Sequence, residues 1–394
     1  PEFQGMQVTE FDILIVGGGL AGLALASALG DTRFRIALVE RRPPRPAPDW
    51  DARIYAVSPA NADFLQAIGA WKHMAPERIA PIHSMRVFGD GGAQLDFSAY
   101  EAGVEELGWI LESSLMACEL WESVKRQGNL TLLCPAAPQA LQVTSATAVL
   151  TLNDNNHVLA KLVVGADGRD SWVREALGLR AISTPYGEMG LVANFECQHP
   201  HRGIARQWFR CDGVLAWLPM AGNRVSIVWS TPDENARAML ALSAEELCAR
   251  VAAAGNNELG AFKLLTPAAA FPLRLTYLPR IIAPRLALLG DAAHGIHPLS
   301  GHGINLGYQD AKALAALLAA SPDWQDIGSE RLLRRYQRER REETLSMQAA
   351  THALHHLFAK DFPGLKPLRN FGMNLTNRLP PLKSFLVRYA IGAF

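Results

Sequence analysis

Apolar positions along the chain follow two periods. Four short runs, FDILIV (Phe11 to Val16), RIALVE (Arg35 to Glu40), LVVGADG (Leu162 to Gly168) and RLALLGDAAH (Arg285 to His294), read as strands buried on both faces. GGGLAG and the small-residue stretch LALASALG lie between the first two and read as a turn and a helix. Strand, helix and strand make a βαβ unit of about thirty residues. Helical period returns in SPANADFLQAIGAW, where Ser58 is the expected N-cap before Pro59, and in ESSLMACELWESVKRQG and ALSAEELCARVAAAG. It also runs from Gly303 through Ala320 and from Glu330 to Phe358. The Pro-rich RRPPRPAPDW interrupts regular structure. Alternation between Ile82 and Phe97 predicts a hairpin, LTLLC, ALQVTS and AVLTLND predict strands, and Tyr186 to Trp229 is strand-rich.

The chain has 394 residues, 49% hydrophobic and 19% charged, which supports a large core and excludes disorder. Lys+Arg and Asp+Glu both number 38, so nothing in the charge balance points to nucleic acid. Cys118, Cys134, Cys197, Cys211 and Cys248 are scattered and form no CxxC pair. That argues against a disulfide framework or a zinc site, and for a reducing, cytoplasmic setting. No apolar run reaches the roughly 18 residues of a membrane span. PEFQG reads as a cloning scar before a native Met6.

Three constellations carry chemistry. Gly17, Gly19 and Gly22 stand between a strand and a helix, with Glu40 ending the next strand. Gly17 allows a tight turn, Gly19 lets backbone approach a pyrophosphate, Gly22 lets helix pack on strand, and the helix N-terminus offers free N–H groups. Glu40 stands where a carboxylate would accept ribose hydroxyls. Leu20 and Ala21 at the helix start and Arg41 beside Glu40 join the expected cofactor-binding set. This motif alone leaves NAD and FAD open, and glycines at such spacing also serve ordinary turns. In the second constellation, GDAAHGIHPLSGHGINLGYQD (Gly290 to Asp310) follows a strand and opens a long helix. Asp291 would bind a sugar or ribityl hydroxyl, glycines 301, 303 and 307 would admit a flat ligand, and the helix N-terminus would stabilise charge on a reduced flavin. The alternative is a Gly-rich loop without a ligand. GADGRDSWVR (Gly165 to Arg174) is the third: Asp167 lies near the cofactor or simply caps a strand-to-helix turn. Arg53 either faces the cofactor or is a surface arginine. His294 and His297 are three apart, but Pro298 and the glycines break any helical ligand spacing, so no metal is expected.

In this order the three blocks resemble the class A FAD-dependent aromatic monooxygenases of the para-hydroxybenzoate-hydroxylase-like fold. HPLSGHGINLGYQD narrows the resemblance to the ubiquinone-biosynthesis hydroxylases, whose signature is HP-[LIV]-[AG]-GQG-x-N-x-G-x-x-D. DARIYAVSPANADFLQAIGAW, LGWILESSLMACEL, YQRERREE and LFAKDFPGLKPLRNFGMNLTNRLPPLKSFLVRYAIG resemble that family too, so the likeness covers the whole native chain. Ser300 departs from the usual Ala or Gly, and His302 from the usual Gln. The resemblance implies an α/β fold: a Rossmann-type FAD-binding domain interleaved with a mixed β-sheet substrate domain, followed by C-terminal helices. The expected division is 6–75, 103–180 and 274–358 for the FAD-binding domain, 76–102 and 181–273 for the substrate-binding sheet, and 359–394 for a C-terminal helical segment, with 1–5 as the scar.

The resemblance also implies roles. Gly17, Gly19 and Gly22 would hold the pyrophosphate, Glu40 the adenosine ribose, Arg53 the phosphate or ribityl region and Asp291 the ribityl chain. Asp167 would belong to a motif linked to cofactor and nicotinamide handling. Pro298, Ser300, Gly301, His302, Gly303, Ile304 and Asn305 would line the isoalloxazine. FAD is the catalyst, reduced by NADPH, NADH or another donor, and O2 is the co-substrate through a C4a-hydroperoxyflavin, so no covalent catalytic residue is expected. The substrate would be a prenylated phenol or quinone precursor of ubiquinone. Trp208, Phe209, Trp217 and Trp229, with Asn194 and Arg206, are candidates for its pocket; the alternative is packing between sheet and helices. LPPLKSFLVRYAIGAF would touch the inner face of a membrane holding a polyprenyl substrate, or pack as a terminal helix or dimer contact. Association with other biosynthetic enzymes is a further expectation. Two alternatives stand beside this: a same-fold hydroxylase of another aromatic or polyketide metabolite, and a non-catalytic lipid-binding or scaffold subunit.

Overall fold

The computed structural model describes residues 8–294 and 303–359, with side chains through 346. In chain order the elements are β1 (Val8–Val16), α1 (Leu20–Ala28), β2 (Ile36–Val39), β3 (Ile54–Val57), α2 (Pro59–Ala67), β4 (Ala80–Ile82), β5 (Ser84–Phe88), β6 (Gln94–Ser98), α3 (Ala99–Ala102), β7 (Gly108–Glu112), α4 (Ser113–Lys125) and β8 (Leu130–Leu133). They continue with β9 (Pro138–Val143), β10 (Ala148–Leu152), β11 (His157–Gly165), α5 (Trp172–Ala176), β12 (Ile182–Cys197), β13 (Ile204–Arg210), β14 (Gly213–Met220) and β15 (Arg224–Pro232). Then come α6 (Asp233–Leu240), α7 (Ala244–Ala254), β16 (Phe262–Leu264), β17 (Ala269–Tyr277), β18 (Ile282–Ala283), β19 (Leu286–Leu288), α8 (Gly303–Ala319) and α9 (Glu330–Ala359).

The first sheet has the order β18-β19-β11-β1-β2-β8, with β9 and β10 attached beside β11. β1 runs parallel to both β11 and β2, and β2 parallel to β8. Strands buried on both faces must supply apolar residues at every position, which is why these runs lack alternation. Successive side chains still go to opposite faces. Ile13, Ile15, Ile36, Leu38, Leu162 and Val164 meet Leu23 of α1, Leu120 of α4 and Leu314 of α8. Leu14, Val16, Ala37, Val39 and Val163 meet Ala148 and Leu150 of β10 and Val173 of α5.

The second sheet has the order β16-β12-β15-β14-β13-β5-β6, with β17 on β12. β5 and β6 form the expected hairpin, and β5 docks onto β13 in parallel. α7 begins with a capping box: Ser243 accepts from the Glu246 N–H and Glu246 from the Ser243 N–H. The chain is thus a mixed α/β protein in which a Rossmann-type sheet, built from three separated stretches, interleaves with a second sheet.

Two local features differ from expectation. The strand expected over Arg285 to His294 is confined to Leu286–Leu288, because the chain turns at Gly290 (φ +60) into a short 3-10 turn over Gly290–Ala292. A three-stranded sheet, β3-β7-β4, was not foreseen. Its strands have three to five residues, too few to show a period, and Pro81 interrupts the apolar pattern. Residues 1–5 and 360–394 lie outside the described residues.

Candidate active site

The site is built from the ends of β1, β2, β11 and β19. β1 stops at Val16, and Gly17 takes φ +111; a Cβ there would lie 2.4 Å from the Ala166 carbonyl oxygen, so the turn admits glycine alone. A Cβ on Gly22 would lie 2.1 Å from the Gly17 carbonyl oxygen, so Gly22 permits helix and turn to touch. Gly19 is different. Its backbone is extended (φ −75, ψ 178), it caps α1 without a side-chain hydrogen bond, and a Cβ on it would meet no atom within 4 Å. The first N–H groups of α1 therefore face a cradle that is open among the described residues and suited to an anionic ligand. Leu20 is buried beneath it, and Ala21 packs where Gly290 and Gly307 approach α1.

Glu40 follows β2 and points back at this cradle. Its Oε2 accepts from the Gly18 N–H at 2.6 Å and its Oε1 from the Arg42 N–H at 3.0 Å. Each oxygen keeps a lone pair for a ribose hydroxyl. Arg41 is exposed beside it.

Arg53 is exposed, but its backbone is pinned: its N–H donates to Asp51 Oδ1 at 2.9 Å, and its carbonyl accepts from the Ser113 N–H at 2.9 Å. Asp51 Oδ2 also accepts from the Ser114 N–H at 2.8 Å, which ties the Pro-rich loop to the start of α4. Trp50 beside it lies between two guanidiniums, Arg78 at 3.7 Å and Arg224 at 4.7 Å from the ring centroid. Arg53 and Asp291 share a neighbourhood around Tyr55. Burial pushes the Tyr55 phenol up, and the charges of Arg53, Asp291, Asp51 and Arg169 all act on it. Tyr55 gave no sequence signal beyond an apolar run.

Asp291 is exposed on the 3-10 turn after β19. Asp167 is engaged within its own turn: Oδ1 accepts from Ser171 Oγ at 2.5 Å and Oδ2 from the Val173 N–H at 3.0 Å, capping α5. Arg174 of α5, which sequence reasoning did not single out, is buried and donates to the Ala292 carbonyl at 3.1 Å. It thereby joins the Asp167 turn to the Asp291 turn. Gly303 opens α8, with no atom of the described residues within 4 Å of a Cβ built on it, and Ile304 packs partly on the core. Asn305 is buried; it donates to the Ala56 carbonyl at 2.8 Å, and its Oδ1 accepts from the Ser58 N–H and Asn61 Nδ2. Its amide ties α8 to β3 and α2. Pro298, Ser300, Gly301 and His302 lie outside the described residues.

The substrate candidates divide between the two faces of the second sheet. Trp208, Trp217 and Trp229 are buried with Met239 of α6 and Leu247, Cys248 and Val251 of α7. Trp208 and Trp217 meet edge to face at 4.6 Å. Phe209 packs with Val87 and Val214. Arg206, directly paired with Trp217 in register, is buried and forms an ion pair at 2.6 Å with the half-buried Glu258. Asn194 sits on the opposite face. It is fully buried and donates through Nδ2 to the Asp51 carbonyl at 2.7 Å. On the same side, Ala205, Leu218 and Met220 pack with Trp50, Ile54, Ala56 and Ile110. The face toward the cradle is therefore that of Asn194; Arg206 and the three tryptophans serve the helix-covered face.

These features fit FAD: a cradle that a Cβ at Gly19 would fill, an uncapped helix N-terminus for a pyrophosphate, and a carboxylate at the end of β2. They define a dinucleotide-binding protein of the interleaved two-sheet class. Residues 10–351 match the family described as FAD binding domain. The ubiquinone hydroxylase UbiL of Rhodospirillum rubrum is 37% identical over 97% of this chain and 89% of its own length. The 3-demethoxyubiquinol 3-hydroxylase of Escherichia coli is 32% identical over 97% of this chain and 98% of its own. The structure of P. aeruginosa PqsL in complex with 2-aminobenzoylacetate superposes with a TM-score of 0.77, at 25% identity over 93% of this chain and 99% of that one. The p-nitrophenol 4-monooxygenase PnpA from Pseudomonas putida has the same fold, with a TM-score of 0.79 at 18% identity over 97% of each chain. The chain belongs to the ubiquinone-biosynthesis hydroxylase family of class A FAD-dependent monooxygenases.

Proposed function

We propose that this enzyme hydroxylates an aromatic ring of a prenylated phenol or quinone precursor of ubiquinone. The observation that carries the proposal is identity of 32–37% with two ubiquinone hydroxylases over 97% of the chain. FAD, when bound, supplies the electron transfer and the oxygen chemistry; O2 is the co-substrate, and NADPH, NADH or another donor the reductant.

The chain binds and orients. Backbone N–H groups at Gly19, Leu20 and Ala21 take the pyrophosphate, with Gly17 and Gly22 shaping the turn. Glu40 accepts the adenosine ribose hydroxyls, with Arg41 at the rim. Arg53 faces the phosphate or ribityl region, and Asp291 the ribityl chain. The α8 N-terminus, from Gly303 through Asn305, stabilises negative charge on the ring system. Asp167 acts through the turn it caps. Pro298, Ser300, Gly301 and His302 complete the lining. The Asn194 face of the second sheet roofs the substrate, and the apolar cluster around Ile110 and Leu218 keeps water out. Residues 6–75, 103–180 and 274–358 act as the FAD-binding unit, and 76–102 and 181–273 as the substrate-binding unit. No helix among the described residues is long and apolar enough to cross a membrane. Contact with the cytoplasmic face of a membrane through LPPLKSFLVRYAIGAF, residues 379–394, and association with other enzymes of the route, belong to the same proposal.

The test is turnover of FAD-loaded enzyme with a demethoxyubiquinol-type substrate, reductant and isotopically labelled dioxygen. One labelled oxygen atom in the product ring supports the proposal; reductant consumption without labelled product overturns it. A second reading, hydroxylation of an unprenylated aromatic, is favoured by His302 and by the likeness to PqsL in complex with 2-aminobenzoylacetate. It predicts equal turnover of substrates with and without the prenyl tail.

A further inference from the structure

Asp310, on α8, is fully buried and accepts three hydrogen bonds from two separate stretches of chain, the turn after β19 and α9. Its Oδ2 takes the Gly290 N–H at 2.9 Å and His294 Nε2 at 2.6 Å, and its Oδ1 takes Arg340 Nε of α9 at 2.7 Å. His294 and Arg340 are also buried, and Arg340 pairs in addition with Glu343. Buried charge is costly unless it is paired and hydrogen-bonded, so such a cluster survives only where its geometry is held on all sides. Burial by itself would lower the His294 pKa and raise that of Asp310, but their mutual attraction outweighs it. His294 is held above its ordinary value and Asp310, with Arg340 also facing it, below its own.

What the cluster grips is the turn Gly290 to His294. Gly290 has φ +60, and a Cβ there would lie 3.3 Å from Ala21 Cβ; Gly307 of α8 comes equally close to Ala21. The turn is thus wedged where α1 meets α8. Asp310 holds it at Gly290 and at His294, and Arg174 holds Ala292 between them. Asp291 lies inside the clamped stretch with its side chain exposed.

We infer that Asp310 is a positioning residue for the cofactor: through the Gly290 N–H and His294 it fixes the turn that presents Asp291, with Arg340 supplying the countercharge from α9. This rests on Asp291 being a cofactor contact. A merely structural role would lower the stability of the whole chain without acting through Asp291.

The test is a double-mutant cycle on full-length protein. FAD dissociation constants are measured by flavin fluorescence on apoprotein of the wild type, Asp291→Ala, Asp310→Asn and the double variant, with apoprotein melting points alongside. Each single variant should weaken FAD binding about tenfold or more, as for a hydrogen bond to a charged group. The double variant should bind within about twofold of the weaker single. Multiplying losses, or Asp310→Asn binding FAD like the wild type while Asp291→Ala does not, overturn the inference alone. Wild-type affinity in Asp291→Ala overturns the reading of Asp291, and this inference with it. If Asp310→Asn does not fold, His294→Gln, which keeps a donor toward Asp310, and His294→Leu decide. Affinity retained in the first and lost in the second supports the inference; equal retention or equal loss overturns it.

Discussion

The Gly18 N–H donates to Glu40 Oε2 at 2.6 Å, so the end of β2 is bonded to the glycine turn at the end of β1. The neighbouring Gly19 points its missing Cβ into open space, whereas Gly22 presses on the backbone of Gly17. Two glycines of one motif should therefore respond differently to substitution. Gly19→Val should cost the apoprotein no more than about 1 kcal/mol, the loss of a good N-cap, because its backbone is extended and no atom of the described residues is near the added Cβ. The same variant should lose FAD affinity by about tenfold or more. Gly22→Ala should destabilise the apoprotein itself. Thermal unfolding of the apoproteins and flavin titration separate the two; a yellow, tightly loaded Gly19→Val protein would move the cradle elsewhere.

Asn194 belongs to the second sheet and Asp51 to the Pro-rich loop, and the bond from Asn194 Nδ2 to the Asp51 carbonyl ties one to the other. Asn194→Leu keeps the size and removes the donor, leaving a carbonyl unpaired. The expected cost is about 1–3 kcal/mol of unfolding free energy. Since Asp51 also holds the Arg53 N–H, FAD affinity should fall as well. Denaturant unfolding and flavin titration measure both; an unchanged unfolding midpoint would remove Asn194 as a tie.

Trp217 is 1% exposed and packs on the helix-covered face. Trp217→Ala should cost about 3–5 kcal/mol of stability by opening a cavity. The KM of the folded enzyme should stay at the wild-type value. A raised KM at unchanged stability would place the indole in the substrate pocket.

The His294–Asp310 pair gives stability a pH dependence whose sign follows from the two shifts. Asp310 has its pKa lowered from 3.8, so its contribution is present above that value and is lost as pH falls through the lowered one. His294 has its pKa raised from 6.5, so its contribution is complete below that value and is lost as pH rises through the raised one. Arg340 and Asp291 also act on His294, and Tyr336 feels Asp310. The stability difference between wild type and Asp310→Asn should therefore be largest between these two ordinary values, and shrink both on acidification and as pH rises through the raised His294 value. Denaturant unfolding from pH values below the ordinary Asp range to values above the ordinary His range checks it; a difference that stays flat over that whole span would mean the pair does not titrate as an ion pair.

The glycine cradle, the buried parallel strands and Glu40 at the end of β2 were legible in the sequence because each is constrained by its near neighbours. A strand buried on both faces must be apolar throughout, and a turn at φ +111 must be glycine; both requirements appear within a few residues. Gly290 to Asp310 could likewise be recognised as one block, but not what Asp310 holds there, since Arg340 lies 30 positions further on. The sequence also showed a strand-rich stretch, Tyr186 to Trp229, that holds Asn194, Trp208, Trp217 and Trp229. It could not say which face of the sheet the helices cover and which meets the loop before β3, because both faces are buried and apolar and strand parity has no sign. Tertiary structure decided that when α6 and α7 covered the tryptophan face and Asp51, 143 residues away in the chain, met Asn194 on the other. Local backbone geometry is written in local residue types, whereas the partner of a buried polar group is set by which distant segments pack together, and no periodicity records that.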